Sequence, residues 1–84
     1  MNDMFTTNQY KVLEVMYDNT VVIADKEYCP LGQGEIAEKL GLSRAVVNRA
    51  FTDLKAAGYI SMVTRGKWKL SAEASEMIRV TQRL

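Results

Sequence analysis

An α+β domain, mostly helical, is what these 84 residues predict. Three observations carry that expectation. Two short stretches with helical apolar spacing meet at Gly41 and Ser43. Beyond Gly58 the spacing switches to strand-like alternation around Arg65-Gly66. Amphipathic helical stretches then bracket the chain at both ends. The length suits one small domain near the lower limit for a single core, so residues 1–84 are read as one unit.

Thr6 or Thr7 can cap a first helix running to about Asp18, with Tyr10, Val12, Leu13, Met16 and Tyr17 on its apolar faces. Asn19 is the expected stop. Thr20 to Ala24 has the β-branched content of a strand, and Asp25-Lys26 could turn it back through Tyr28. Pro30 cannot donate to a ladder, so any second strand here should be an edge or end near it. A short hairpin and a single strand followed by a loop both fit.

Residues 33–58 form the centre of the chain. Ile36, Ala37 and Leu40 make the stripe of a two-turn helix, which Gly41 can close in a left-handed conformation. Ser43 is placed to cap the next helix, where Val47, Ala50, Phe51 and Leu54 recur at i, i+3, i+4 and i+7. Gly58 ends it. Helix, glycine turn and serine-capped helix together outline a helix-turn-helix.

Residues 59–70 read as a hairpin with Arg65-Gly66 at its tip. Ile60, Met62, Trp68 and Leu70 are the expected inward side chains, and Lys67 and Lys69 the outward ones. That facing needs an odd-numbered loop, whereas a two-residue loop would pair Val63 with Trp68, so the register stays open. Ser71 caps a last helix over 72–83, with Ala74, Met77, Ile78 and Leu84 on its stripe.

Composition narrows the function. There is no histidine, so histidine-based acid/base chemistry and metal ligation are absent, and no Gly-rich phosphate loop appears. Cys29 is a lone cysteine, which excludes an internal disulfide framework and fits a reducing, cytoplasmic setting. It is read as a packed thiol. Asp25 and Glu27 have no third ligand nearby. No enzyme, metal or cofactor is expected, and no apolar run is long enough to span a membrane.

Net charge is only +1, but its distribution is uneven. Residues 1–43 carry three Lys/Arg against seven Asp/Glu, and residues 44–84 carry eight against three. The basic half begins at the second helix of the motif, which suggests one face that attracts polyanions. Chance segregation of solvated charge is the plain alternative.

The order helix, strand, helix, helix, two-stranded hairpin resembles the winged helix-turn-helix family, and within it the MarR-type transcriptional regulators. TTNQYKVLEVMYDN resembles the helix before the reading head. GEIAEKLGLSRAVVNRAFTDLKAAGYI is similar to the helix-turn-helix entering the wing, RGK to a shortened wing tip, and WKLSAEASEMI to the last wing strand and the start of the dimerisation helix. The resemblance implies a three-helix core, a short strand, a two-stranded wing and a C-terminal helix. Residues 20–30 make a longer link than usual. The flanking helices that hold a ligand pocket in MarR-type regulators are missing or reduced to the final one, so no small-molecule effector is expected.

In helix-turn-helix proteins the second helix enters the major groove and its N-terminal residues reach base edges. With Val47, Ala50, Phe51 and Leu54 inward, Ser43, Arg44, Ala45, Asn48, Arg49 and Thr52 lie outward and Val46 at the margin. Arginine can pair with guanine, asparagine with adenine, and small apolar groups with the thymine methyl. Gln33, Arg65, Lys67 and Lys69 are candidates for positioning contacts with phosphate or the minor groove. Glu35 and Glu38 should point away. The expected function is sequence-specific binding of double-stranded DNA by a small regulator, a repressor acting as a symmetric dimer. Met4, Phe5, Met77, Ile78 and Leu84 are the expected dimer contacts. The alternative is a winged helix used as a protein-interaction module in a regulatory or replication complex.

Overall fold

The computed structural model describes residues 5–83. Four helices and two antiparallel hairpins follow in the order α1 (Thr7–Asp18), β1 (Val21–Ile23), β2 (Lys26–Tyr28), α2 (Gln33–Leu40), α3 (Arg44–Ala56), β3 (Ile60–Thr64), β4 (Lys67–Leu70) and α4 (Ala72–Gln82).

Helix ends follow from local chemistry. Thr6 and Gln9 form a reciprocal capping box on α1, each backbone N–H donating 3.1 Å to the other's side chain. At its far end the Asn19 amide and Thr20 hydroxyl donate to the carbonyls of Val15 and Met16, satisfying groups the helix leaves open. Helices α2 and α3 share one terminator. Leu42 N–H donates to Ala37 and Tyr59 N–H to Leu54, each across a glycine in the left-handed region, Gly41 at φ 67° and Gly58 at φ 83°. This is the Schellman arrangement, and it turns the chain sharply while placing an apolar side chain after each helix.

The core draws on every helix. Val12, Leu13 and Met16 of α1 meet Ile36 and Ala37 of α2, Val47, Ala50, Phe51 and Leu54 of α3, and Ala74 and Ile78 of α4. Ile60, Trp68 and Leu70 bring the wing onto this cluster, and Cys29 brings in the first hairpin. Truncating a wholly enclosed side chain such as Ile36 to alanine would cost about 2–5 kcal/mol.

Two points open in the sequence are settled and two expectations change. Of the hairpin and the single strand that both fit residues 20–32, the hairpin is present, and its turn is Ala24-Asp25 instead of Asp25-Lys26. Val21 pairs with Tyr28, Val22 with Glu27 and Ile23 with Lys26, which leaves two turn residues. Both have positive φ, 51° and 66°, as a type I′ turn requires. The wing register open in the sequence is resolved by a bulge. Thr64 pairs with Lys67 around a two-residue tip, yet Met62 still pairs with Trp68, because Val63 is the extra residue. Met62, expected inward, is 49% exposed although its cross-strand partner Trp68 is buried: β3 is the outer strand, whereas β4 lies between β3 and the first hairpin.

The two hairpins are joined. Cys29 N–H donates 2.6 Å to the Trp68 carbonyl and Trp68 N–H donates 3.2 Å back, an antiparallel bridge beyond the end of β2. Lys67 places its ammonium over the Tyr28 ring, 5.1 Å from the centroid. The first hairpin thus braces the wing.

Candidate nucleic-acid interface

Helix α3 is set by its cap and its buried stripe. The Ser43 hydroxyl accepts from Val46 N–H at 3.2 Å, fixing the first turn. With Val47, Ala50, Phe51 and Leu54 buried, Ala45, Arg49 and Thr52 form the outermost ridge, all three exposed. Thr52 donates its hydroxyl proton to the Asn48 carbonyl at 2.9 Å, so its methyl and oxygen lone pairs remain for a partner. The Arg49 side chain is 82% exposed, and its nearest charged neighbour is Asp53, one helical turn on, at 3.7 Å. An ion pair that loose and that wet is readily exchanged for another anion.

Two grooves flank the ridge. On the wing side, Gln33, Arg44, Asn48 and Arg65 line a single concavity floored by Gly32, Gly66 and Trp68. None of these lining residues is acidic. Glu35 and Glu38 lie across Arg44 from this concavity, and Glu35 accepts the Gly32 N–H at 3.0 Å. On the other side, Thr6, Asn8 and Gln9 of the α1 start face Ala45, Val46, Arg49 and Asp53.

The sequence-expected residues therefore separate. Gln33, Arg44, Asn48 and Arg65 come together in one groove; Ala45, Val46 and Arg49 border the other, and Ser43 caps the helix between them. Lys67 and Lys69 alternate along β4 with the buried Trp68 and Leu70, so they project from the opposite face of the wing and line neither groove. The sequence reading missed Asp53, which the i, i+4 spacing from Arg49 signals, and Asn8, whose approach to α3 is a tertiary contact without a local signal.

The expected dimer contacts also separate. Met4 and Leu84 lie outside the described residues. Ile78 is fully buried on the core side of α4 and so is not a surface contact, a correction that follows from α4 needing that side chain to close its own domain. Phe5 is half-buried, edge-to-face on Tyr59 with centroids 5.0 Å apart. Met77 is half-buried and Val80 is 46% exposed, together lining a shallow depression with Glu76 and Thr81.

Burial pushes the Cys29 thiol above its ordinary pKa, outweighing a backbone hydrogen bond near Leu31 that acts the other way. It is a neutral packing group. Among the described residues no cluster of three or more acidic or thiol side chains could hold a metal ion, and no helix is long and apolar enough to cross a membrane.

A three-helix core whose third helix is capped by Ser43, with a β-wing beside it, defines a winged helix-turn-helix domain. The sequence matches the Crp-like helix-turn-helix domain over residues 12–75, and the chain belongs to that family. No curated protein matches it. Among solved structures it is similar to a MarR/EmrR family transcriptional regulator from Acinetobacter sp. ADP1, with a TM-score of 0.72 and 18% identity over 94% of this chain and 51% of that one. The CO-sensing protein from R. rubrum gives a TM-score of 0.75 and 21% identity, over 92% of this chain and 38% of that one. Lactococcus lactis ZitR in complex with DNA gives 0.63 and 18%, over 98% of this chain and 56% of that one. At these identities the likeness concerns the fold, and the chain spans about half or less of the length of these neighbours. The MarR-type architecture expected from the sequence is present, while the matched family is Crp-like.

Proposed function

We propose that this domain binds double-stranded DNA sequence-specifically as part of a transcriptional regulator, with α3 in the major groove. The observation that carries the reading is the wing-side groove, where two arginines, a glutamine and an asparagine converge without a carboxylate among the lining residues. Ala45, Arg49 and Thr52 on the ridge would meet base edges, Asn48 and Arg44 would read from the wing side, and Gln33 and Arg65 would hold the backbone. The solved complex of a fold neighbour with DNA supports the same reading.

Repression by occlusion as a symmetric dimer is the form of regulation we favour, in the cytoplasm and without a small-molecule effector. Two reading helices must sit about 34 Å apart to engage successive major grooves. Met77 and Val80 on the outer side of α4 offer the apolar surface for pairing. Val80→Glu should abolish dimerisation in sedimentation velocity while leaving the fold intact; a wild type that remains monomeric with and without its operator would remove the dimer. The DNA reading itself is tested by titrating duplex binding against salt in the wild type and in the Arg44→Ala/Arg49→Ala variant.

One observation favours a second reading, a protein-interaction module. Val22 and Ile23 on β1 are 67% and 57% exposed, an apolar edge that DNA binding does not use. Failure to bind any duplex at low salt would bring that reading forward.

A further inference from the structure

Gly34 is the second residue of α2, and its φ is not positive, unlike Gly41, Gly58 and Gly66. No backbone conformation therefore demands glycine there. Glycine is also the poorest helix former after proline, so α2 would be more stable with almost any other residue at this position. The neighbouring side chain supplies the reason. A Cβ placed on Gly34 would stand 2.7 Å from Nη2 of Arg44 and 3.2 Å from both Cζ and Nε.

Nη2 is the nearest of the three atoms, with Cζ and Nε behind it, so the Nε–Nη2 edge of the guanidinium occupies space that a side chain on residue 34 would fill. Arg44 is the first residue of α3, so this seat joins the start of the reading helix to the start of the helix before it. The seated guanidinium also lines the wing-side groove together with Gln33, Asn48 and Arg65.

We propose that Gly34 is a positioning residue: its missing side chain holds the Arg44 guanidinium at the groove, ready for DNA. This rests on the DNA-binding reading above. Arginine loses considerable rotamer freedom when it is immobilised on binding, and a side chain already lying in a fitted place loses less. Alanine at this position puts a methyl group where the guanidinium lies. Nη2 must then retreat by about 0.7 Å to reach ordinary contact at 3.4 Å, and the flexible end of Arg44 gives way before the backbone does. Gly34→Ala should consequently spare the fold and spoil the seat.

The test is a double-mutant cycle on the full chain, with Gly34→Ala, Arg44→Ala and their combination. Each is measured by fluorescence anisotropy against a duplex selected from a random pool by the wild type, and against a random duplex. Thermal melts accompany each protein. Gly34→Ala should melt at or above the wild-type temperature. It should bind the selected duplex roughly 3- to 10-fold more weakly, with a smaller loss on random duplex, a fraction of what losing the whole arginine contact costs. In the Arg44→Ala background the same substitution should change affinity less than about two-fold, because the group it displaces is gone. Unchanged binding by Gly34→Ala would overturn the proposal, as would an equal loss with and without Arg44. A wild type that binds neither duplex would defeat the DNA reading itself, and this proposal with it.

Discussion

The ring of Phe51 meets the ring of Trp68 edge to face, with centroids 5.1 Å apart and planes at 88°. Phe51 belongs to the buried side of α3 and Trp68 to the second strand of the wing, so this contact ties together the two elements that face the wing-side groove. Trp68 is held from behind by its backbone pairing with Cys29. Helix α3, the wing and the first hairpin are thus joined in series by direct contacts.

Phe51→Leu keeps an apolar side chain of similar bulk and removes the aromatic pair. It should lower stability by about 1 kcal/mol or somewhat more. Trp68 is the sole tryptophan, so urea unfolding followed by its fluorescence reads the change directly. A drop in denaturation midpoint with an unchanged slope is the expected outcome, and DNA affinity should fall as the wing loosens.

The Ala24-Asp25 turn holds two residues with side chains at positive φ, a conformation that costs roughly 1–2 kcal/mol for an ordinary L-residue and less for asparagine or glycine. Replacing the pair by Asn-Gly should raise stability by about 1 kcal/mol, read as a higher urea midpoint. The hairpin tip lies outside both grooves, so DNA affinity should stay the same.

Cys29 gives the stability a pH signature. Its thiol is raised in the folded state by burial, so above the ordinary thiol range, about pH 8.5, the unfolded chain loses the proton while the folded chain keeps it. The unfolded state then binds fewer protons, and stability falls as pH rises from there toward the folded-state pKa. Equilibrium unfolding between about pH 8 and 10 should show this decline in the wild type and a shallower one in Cys29→Ala. Thiol reagents should label Cys29 only after denaturant is added.

Ser43 is the cap that starts α3. Ser43→Ala leaves Val46 N–H without its acceptor and should cost about 1 kcal/mol in thermal unfolding. Frayed ends at Arg44 and Ala45 should weaken specific DNA binding more than random binding.

Much of this architecture is legible in the residues, for local reasons. Thr6, Ser43 and Ser71 cap because each is a hydroxyl residue preceding an apolar-periodic stretch, and Gly41 and Gly58 terminate because each follows one. The outward face of α3 follows from its buried stripe by helical geometry alone. The rest depends on contacts between distant parts. Whether Val63 bulges is a choice between two registers of equal local merit, settled when Trp68 packs on Phe51 and pairs with Cys29. Ile78 looks like any stripe residue until the first helix is seen to need it. Lys67 and Lys69 are basic and near the wing tip, which sequence treats as sufficient, yet the pleat turns both away from the groove. Gly34 reads as a weak spot in a helix until Arg44 is seen lying on it.

The central claim is that the outer face of α3 binds DNA, and a salt titration of duplex binding tests it most directly. The wild type and the Arg44→Ala/Arg49→Ala variant are titrated side by side. Wild-type affinity should fall linearly with the logarithm of salt, at a slope near −0.9 for each phosphate neutralised. The variant should bind at least about ten-fold more weakly to the selected site, in keeping with the loss of two arginine contacts. Absence of wild-type binding at low salt, or a variant that binds as tightly as the wild type, would contradict the account.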